Sequence, residues 1–149
     1  MSPHPVKCLE ILESTQFYML EMVMKSRRNI LILDPERDTA ELFSRALENH
    51  REGYKCYWVD NVEQAGSLLC EIPFSFVLAD VSTLQDDHFL LLDTIKAAAA
   101  ATIVIASGYL KEKRSIKAAL ERGVDGYFIK PVMVGTLRKL IDDFSALCA

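Results

Sequence analysis

The sequence lacks the features that would direct it to a membrane or to nucleic acid. No apolar run approaches the roughly 18 residues that a membrane span requires, although 50% of the 149 residues are hydrophobic. Basic residues are also scarce: 17 Lys and Arg stand against 21 Asp and Glu, for a net charge of −4. Proteins that hold nucleic acid by its phosphates need a basic surface. We therefore expect a soluble globular protein, about one domain in size, that does not bind nucleic acid directly.

Motifs for binding zinc or nucleotides are missing as well. The four cysteines are scattered without a Cys-x-x-Cys pair, and none of the three histidines is near a cysteine at zinc-ligand spacing. The segment LDPERDT follows the first predicted strand, where a nucleotide-binding protein would carry a glycine-rich phosphate loop. The amino terminus has no basic segment before an uninterrupted apolar run, so it does not resemble a secretory signal. With free thiols that we expect to be buried, these absences favour the cytoplasm.

From Asn29 onward the sequence alternates short apolar runs with longer segments of helical period. The apolar runs lack period-two polarity, which is typical of parallel strands buried on both faces. The predicted strands are 30–33, 56–59, 76–79, 103–106 and 127–129, and the predicted helices are 39–50, 62–71, 88–100, 112–122 and 134–147. Five βα units joined by right-handed crossovers predict an α/β fold with a doubly wound, five-stranded parallel sheet in a three-layer sandwich. Its loops gather at the carboxyl ends of the strands.

Residues 1–28 stand outside this alternation, so we divide the chain into this extension and a main domain at 29–149. Apolar residues such as Leu9, Leu12 and Val23 predict an extra amino-terminal helix, which polar residues interrupt. One interpretation packs this helix on the domain, and the other makes it a self-association helix or the end of a longer coil. We expect a homodimer, because an exposed apolar stripe of this size invites association.

Four polar residues follow or extend the predicted strands: Asp34, Asp80, Ser107 and Lys130. Taken singly, each has an ordinary structural role, as a helix cap for either aspartate, a turn hydroxyl for the serine or a solvated strand end for the lysine. Taken together, two acids, a hydroxyl and a lysine converge on one edge of an apolar sheet. That edge is where we expect the chemistry.

The segments that carry these residues, NILILDPE, FSFVLADVS, TIVIASG and DGYFIKPV, resemble the receiver domain of two-component response regulators. The resemblance covers residues 29–147 and implies a flavodoxin-like (βα)5 fold. It implies that Asp80 accepts a phosphoryl group from a histidine kinase or a phosphotransfer protein. Ser107 and Lys130 are implied as the other members of the catalytic set.

The resemblance also implies a Mg²⁺ site, with Asp34, Asp80 and the backbone carbonyl of Ser82 as ligands. This chain departs from the family in the first loop, where Pro35 replaces an acid that typically contacts the metal. Glu36 follows, and whether its longer side chain reaches back to the metal is left open. We therefore expect a weak Mg²⁺ site with Glu36 as an additional candidate ligand.

A switch surface is implied too. Tyr127 corresponds to the aromatic residue that swings inward when the acceptor is phosphorylated, and the neighbouring strands and helices complete the surface. A cis peptide between Lys130 and Pro131 is implied at the turn that aims the lysine at the site.

The loop after the candidate acceptor departs from the family pattern. Leu84 and His88 stand where the family commonly has proline and glycine. We expect His88 to be exposed at the start of the next helix. Asp86 and Asp87 are expected to cap the amino end of that helix, where the helix dipole favours negative charge.

Three functions compete for this sequence. The first is a phospho-accepting receiver without enzymatic activity, which switches a protein-interaction surface for a downstream protein. The second is a pseudo-receiver, a phosphorylation-independent interaction or dimerisation module that lost phosphorylation with the acid replaced by Pro35. The third, a flavodoxin-like enzyme that binds a nucleotide or flavin, is disfavoured because no glycine-rich loop is found. No output segment follows the last predicted helix, so we expect the effect to pass through a partner or through residues 1–28.

Overall fold

The computed structural model describes residues 29–50, 53–99 and 101–147. The strands are β1 (Asn29–Leu33), β2 (Lys55–Val59), β3 (Phe76–Asp80), β4 (Ile103–Tyr109) and β5 (Gly126–Lys130). The helices are α1 (Arg37–Glu48), α2 (Val62–Glu71), α3 (Val81–Asp86), α4 (Leu90–Ala98), α5 (Lys113–Glu121) and α6 (Val134–Leu147), with a 3-10 turn at Leu110–Glu112. The five strands are parallel, in the order β2-β1-β3-β4-β5. The predicted doubly wound parallel sheet is confirmed.

Each strand sends apolar side chains to both faces of the sheet. In β1, Ile30 and Ile32 join one core cluster, while Leu31 and Leu33 join the other. Helices α1 and α6 cover the first face, and α2, α3, α4 and α5 contribute buried residues to the second. Both faces of the central strands β1, β3 and β4 are covered, which explains their uninterrupted apolar sequences. The edge strands β2 and β5 are partly exposed.

Two segments differ from the sequence-based expectation. The chain after β3, expected as a loop, forms α3, because the carboxylate of Asp80 accepts the backbone N–H of Thr83 and caps the helix. The helix predicted at 88–100 begins later, since His88 and Phe89 have positive φ angles of 52° and 60° that interrupt a right-handed helical path. Both differences lie next to the sheet edge where the polar residues were expected to meet.

Some expectations fall on residues outside those that the structure describes. Residues 1–28 are among them, so the amino-terminal helix and its part in a homodimer stay predictions, and Ala100, at the end of one predicted helix, lies outside as well. In the described ranges, no helix has the length and apolar character to cross a membrane. Two cysteines are described and both are free; Cys56 is partly buried, whereas Cys70 is exposed, contrary to the expected burial.

Candidate functional site

Three buried charged side chains meet at the carboxyl edge of the sheet. Asp34 follows β1, Asp80 ends β3 and Lys130 ends β5, and their exposed fractions are 1%, 3% and 3%. Ser107 joins them on β4, where it is also buried and pairs in register with Asp80. Parallel strands deliver their carboxyl ends to one edge, so these side chains converge although they are far apart in the chain. The structure thus brings together the four residues that the sequence singled out.

Lys130 lies between the two aspartates. Its Nζ donates to Asp34 Oδ2 at 3.1 Å and to Asp80 Oδ1 at 3.0 Å. Burial favours the neutral lysine, but hydrogen bonds and charge from Asp80 and Asp34 outweigh it and raise the pKa of Lys130. The lysine is therefore a buried ammonium and not a solvated strand end. The peptide bond from Lys130 to Pro131 is cis, as the resemblance implied.

Asp34 is held by backbone groups as well as by the lysine. Its Oδ1 accepts the backbone N–H of Glu36 at 2.8 Å, and its carbonyl accepts the indole N–H of Trp58 at 2.8 Å. Burial raises the pKa of Asp34 by more than the hydrogen bonds from Glu36 and Lys130 lower it. The ionised form of Asp34 is therefore costly in the folded protein, and a bound cation would relieve that cost.

Asp80 is also the N-cap of α3. Its Oδ2 accepts the backbone N–H of Thr83 at 3.1 Å and the Thr83 hydroxyl at 3.0 Å, and it accepts the Ser82 hydroxyl. Burial opposes ionisation, but the hydrogen bonds from Ser82, Lys130 and Thr83 prevail and lower the pKa of Asp80. One oxygen of the carboxylate therefore faces the lysine, while the other holds the start of α3. Asp80 therefore caps a helix, as its ordinary structural role predicts, and also contacts Lys130.

A glycine lets β4 approach α3 and α5 closely. A Cβ built at Gly108 would lie 2.8 Å from Val81 Cγ1 and 3.2 Å from Ile116 Cδ1. A side chain there would force Val81 of α3 to shift and would crowd Ile116 of α5, so the absence of a Cβ allows the end of β4 to lie close to both helices. Tyr127, the implied inward-swinging aromatic on β5, is 48% exposed, and its inward position stays a prediction.

Glu36 is held by a residue that the sequence analysis missed. The hydroxyl of Tyr109 lies 2.9 Å and 2.8 Å from the two carboxylate oxygens of Glu36, and the Thr39 hydroxyl donates to the same group at 3.0 Å. Lys130 Nζ lies 4.8 Å from the centroid of the Tyr109 ring, within cation–π range. Tyr109 was overlooked because β4 was predicted to end before it. The available signal was its spacing of two residues from Ser107, which puts both on one face of a strand.

The carboxylates of Asp34 and Asp80 fit a Mg²⁺ ion that takes few of its ligands from the protein. In the part of the chain that the structure describes, no group of three or more His, Cys, Asp or Glu side chains is arranged to hold a metal ion. Asp34 and Asp80 supply two carboxylates, and Mg²⁺ is often bound by one or two carboxylates together with several waters. Two buried aspartates against one buried lysine leave a net negative charge at this edge. The charge and the oxygen donors thus suit a hard divalent cation.

The other two predicted metal ligands have different partners in this structure. The carboxylate of Glu36 is bound to Tyr109 and Thr39. Ser82 lies in the first turn of α3, where backbone carbonyls point toward the carboxyl end of the helix, and the group that it brings to Asp80 is its hydroxyl. The roles of Ser82 and Glu36 in metal binding stay predictions.

The turn between α3 and α4 differs in part from the expectation. Asp87 caps α4 as predicted, because its Oδ2 accepts the backbone N–H of Leu91 at 2.7 Å. Asp86 is instead the last residue of α3, so its predicted role as a cap of α4 is wrong. His88 is exposed, as predicted, but it lies in the turn with φ of 52° and not in the helix. The family pattern has glycine there, which adopts such backbone angles at lower cost.

Comparisons with known proteins agree with this fold. The family model described as the response regulator receiver domain matches residues 30–142. No curated protein matches. A two-component response regulator from Clostridium difficile is 23% identical with a TM-score of 0.70, over 79% of this chain and 95% of that chain. The chemotaxis response regulator CheY4 of Vibrio cholerae is 18% identical with a TM-score of 0.65, over 77% of this chain and 96% of that chain. The beryllofluoride-activated NtrC4 receiver domain dimer is 21% identical with a TM-score of 0.71, over 82% and 99% of the two chains.

Proposed function

We propose that this chain, which belongs to the response regulator receiver domain family, accepts a phosphoryl group on Asp80 from a histidine kinase or a phosphotransfer protein. The observation that carries the proposal is the buried contact of Lys130 with both Asp80 and Asp34 at the carboxyl edge of the sheet. A carboxylate is a competent nucleophile, and its acyl phosphate is labile enough to serve as a timed signal. The depressed pKa of Asp80 keeps it ionised, as a nucleophile must be.

In the proposed transfer, a carboxylate oxygen of Asp80 attacks the phosphorus of a phosphohistidine. The new O–P bond forms while the P–N bond breaks, and the imidazole leaves with the electron pair and takes up a proton. Lys130, already within hydrogen-bond distance of Asp80, neutralises charge on the phosphoryl oxygens. Ser107, in register with Asp80, is proposed to donate its hydroxyl to the new phosphoryl group.

Mg²⁺ belongs to this proposal, with Asp34 and Asp80 as its principal ligands and Ser82 and Glu36 as additional candidates. When bound, the metal supplies positive charge against the phosphoryl oxygens. Support comes from two buried carboxylates that face a single buried lysine, which leaves a net negative charge at this edge, and from burial, which raises the pKa of Asp34. Because Pro35 offers no side-chain ligand, we propose a weak site.

The output is proposed to be a switched protein-interaction surface formed by β4, α5, β5 and α6. This face carries exposed apolar side chains: Leu110 at 64%, Leu120 at 40%, Tyr127 at 48% and Met133 at 79%. Phosphorylation would shift the population between two arrangements of this surface, and a downstream protein would bind one of them.

The proposal includes a cytoplasmic location, and it includes neither enzymatic activity nor direct binding of nucleic acid. A homodimer through residues 1–28 is also included; the NtrC4 receiver domain was solved as a dimer.

The pseudo-receiver is the second candidate, and two contacts favour it. Asp80 Oδ2 already receives hydrogen bonds from Ser82 and Thr83, and Glu36 is engaged by Tyr109. A site whose carboxylates are satisfied by the protein itself has less to gain from a metal or a phosphoryl group. Such a chain would act through the same surface without phosphorylation.

The intact mass of the chain separates these two functions. We expect incubation with acetyl phosphate and Mg²⁺ to add one phosphoryl group, and hydroxylamine to remove it as from an acyl phosphate. The Asp80→Asn variant is the matched control and should gain no mass. A gain that persists in Asp80→Asn would place the phosphoryl group elsewhere, and no gain in the wild-type chain would favour the pseudo-receiver.

A further inference from the structure

Tyr109 connects two segments that the sheet alone does not join at this edge. Glu36 lies in the loop after β1, and Tyr109 is the last residue of β4, with β3 between the two strands. The Tyr109 hydroxyl contacts both carboxylate oxygens of Glu36, at 2.9 Å and 2.8 Å. The bond therefore closes one side of the site across the intervening strand.

The ring of Tyr109 also contacts the centre of the site. Its centroid lies 4.8 Å from Lys130 Nζ, the ammonium that holds Asp34 and Asp80. A single side chain therefore touches the lysine with its aromatic ring and Glu36 with its hydroxyl. The backbone N–H of Tyr109 donates to Glu112 at 2.9 Å, which ties the same residue to the 3-10 turn before α5.

The neighbouring residues explain why Glu36 has this partner. The backbone N–H of Glu36 donates to Asp34 Oδ1 at 2.8 Å, so the start of the Glu36 side chain is set beside the acidic site. Its carboxylate is then held by the hydroxyls of Tyr109 and Thr39. The carboxylate of Glu36, which could otherwise bind a cation at Asp34, is thus hydrogen-bonded to Tyr109.

We propose that Tyr109 is a positioning residue that holds Glu36 away from the Mg²⁺ site and so sets how tightly this chain binds Mg²⁺. Glu36 serves the metal, directly or through a bound water, only after its hydrogen bond to Tyr109 breaks. Breaking that bond would free the Tyr109 hydroxyl. Because the backbone N–H of Tyr109 donates to Glu112 in the 3-10 turn, a shift of Tyr109 would be passed to α5, which belongs to the proposed interaction surface. This inference rests on the proposed function, because it assumes that Mg²⁺ binds at Asp34 and Asp80.

The experiment compares Mg²⁺ affinity in four proteins: wild type, Tyr109→Phe, Glu36→Ala and the double variant. Tyr109→Phe keeps the ring over Lys130 and removes only the hydroxyl. A net hydrogen-bond contribution corresponds to a change in affinity of about two- to tenfold, so we expect the Kd for Mg²⁺ to fall by about fivefold in Tyr109→Phe. We expect Glu36→Ala to raise the Kd, and Tyr109→Phe to have no effect in the Glu36→Ala background.

Two readouts measure the Kd without reference to phosphorylation. One is the fluorescence of Trp58, the single tryptophan, whose indole donates to the Asp34 carbonyl. The other is the rise in melting temperature with MgCl2 at constant ionic strength. Tyr57→Phe is the matched control, because it removes a tyrosine hydroxyl from β2, where the Tyr57 ring packs on Phe74, and it should leave the Kd unchanged.

Each outcome decides for or against the proposal. An unchanged Kd in Tyr109→Phe overturns it, and so does an equal change in the Glu36→Ala background, since the effect would then not pass through Glu36. If the wild-type chain gains a phosphoryl group while Tyr109→Phe binds Mg²⁺ like wild type, only this inference fails. If none of the four proteins binds Mg²⁺ and wild type gains no mass, the proposed function fails together with it. Mg²⁺ binding that appears only in Tyr109→Phe supports the proposal.

Discussion

Thr83 donates two hydrogen bonds to one oxygen of Asp80, from its backbone N–H at 3.1 Å and from its hydroxyl at 3.0 Å. The other oxygen of that carboxylate lies 3.0 Å from Lys130 Nζ. The proposed phosphoryl acceptor is therefore also the residue that starts α3. A change in the charge of Asp80 acts on the first turn of α3 as well as on the lysine.

Thr83→Val removes the hydroxyl donor while it keeps the side-chain shape. We expect the free energy of unfolding to fall by about 1 kcal/mol, because a hydrogen bond to a charged carboxylate is lost at a partly buried position. Urea unfolding at neutral pH measures the change. Thr94→Val is the control, since that hydroxyl donates to the Leu90 carbonyl at an exposed position on α4. An equal loss of stability in an Asp80→Asn background would contradict the role of the carboxylate.

Lys130→Met leaves two buried carboxylates without their cation. We expect the free energy of unfolding at pH 7 without Mg²⁺ to fall by about 3 kcal/mol, as is typical when one member of a buried ion pair is removed. Chemical denaturation measures it. Lys139→Met is the matched control, because Lys139 pairs with Asp143 on the exposed side of α6 and should contribute less than about 0.5 kcal/mol. Similar losses in both variants would show that the buried contacts of Lys130 stabilise the fold no more than an exposed ion pair does.

Asp34→Asn tests the pH dependence of the site. Burial is the largest cause of the raised folded-state pKa of Asp34, so this group favours folding when it is protonated, and its contribution is lost as pH rises through that pKa. We therefore expect Asp34→Asn to unfold at higher denaturant concentration than wild type at pH 7 without Mg²⁺. The advantage should shrink as pH falls toward the ordinary range of an aspartate. An advantage that is constant with pH would contradict this origin.

Mg²⁺ should stabilise the wild-type chain. A ligand that binds only the folded state at ten times its Kd adds about 1.4 kcal/mol to the free energy of unfolding, and the melting temperature rises accordingly. Asp34→Asn should lose most of this increase, because one of the two proposed carboxylate ligands is removed. Melting curves at increasing MgCl2 and constant ionic strength measure both. No shift in wild type at millimolar Mg²⁺ would favour the pseudo-receiver.

His88→Gly relieves an unfavourable backbone conformation. His88 is exposed and has φ of 52°, a left-handed value that costs a side-chain-bearing residue energy which glycine does not incur. We expect the free energy of unfolding to rise by about 0.5 to 1 kcal/mol, after the larger loss of glycine entropy on folding is subtracted. His88→Ala keeps the Cβ and should change little. Equal effects of the two variants, measured by thermal unfolding, would contradict the backbone explanation.

The architecture and the meeting of the polar residues could be predicted from sequence. Uninterrupted apolar runs that alternate with helical periods specify parallel strands covered by helices, and parallel strands end at one edge. Asp34, Asp80, Ser107 and Lys130 were therefore expected at one edge of the sheet. The expected exposure of His88 and the cap at Asp87 also followed from local residue preferences. These features depend on periodicity and chain direction, which are local properties of a sequence.

The partners of each side chain were decided by the tertiary structure. The sequence predicted that Asp80 ends a strand and is followed by a loop. In the structure Asp80 accepts the backbone N–H of Thr83 and caps α3. This contact depends on the path of the backbone after Asp80, which the sequence pattern did not specify. Glu36 and Tyr109 lie 73 residues apart and on strands or loops that are not neighbours in the sheet. Their hydrogen bond depends on the length of β4 and on side-chain rotamers, which no short-range pattern encodes. The sequence by itself determined which residues share the edge, and the packing of the edge determined which of them touch.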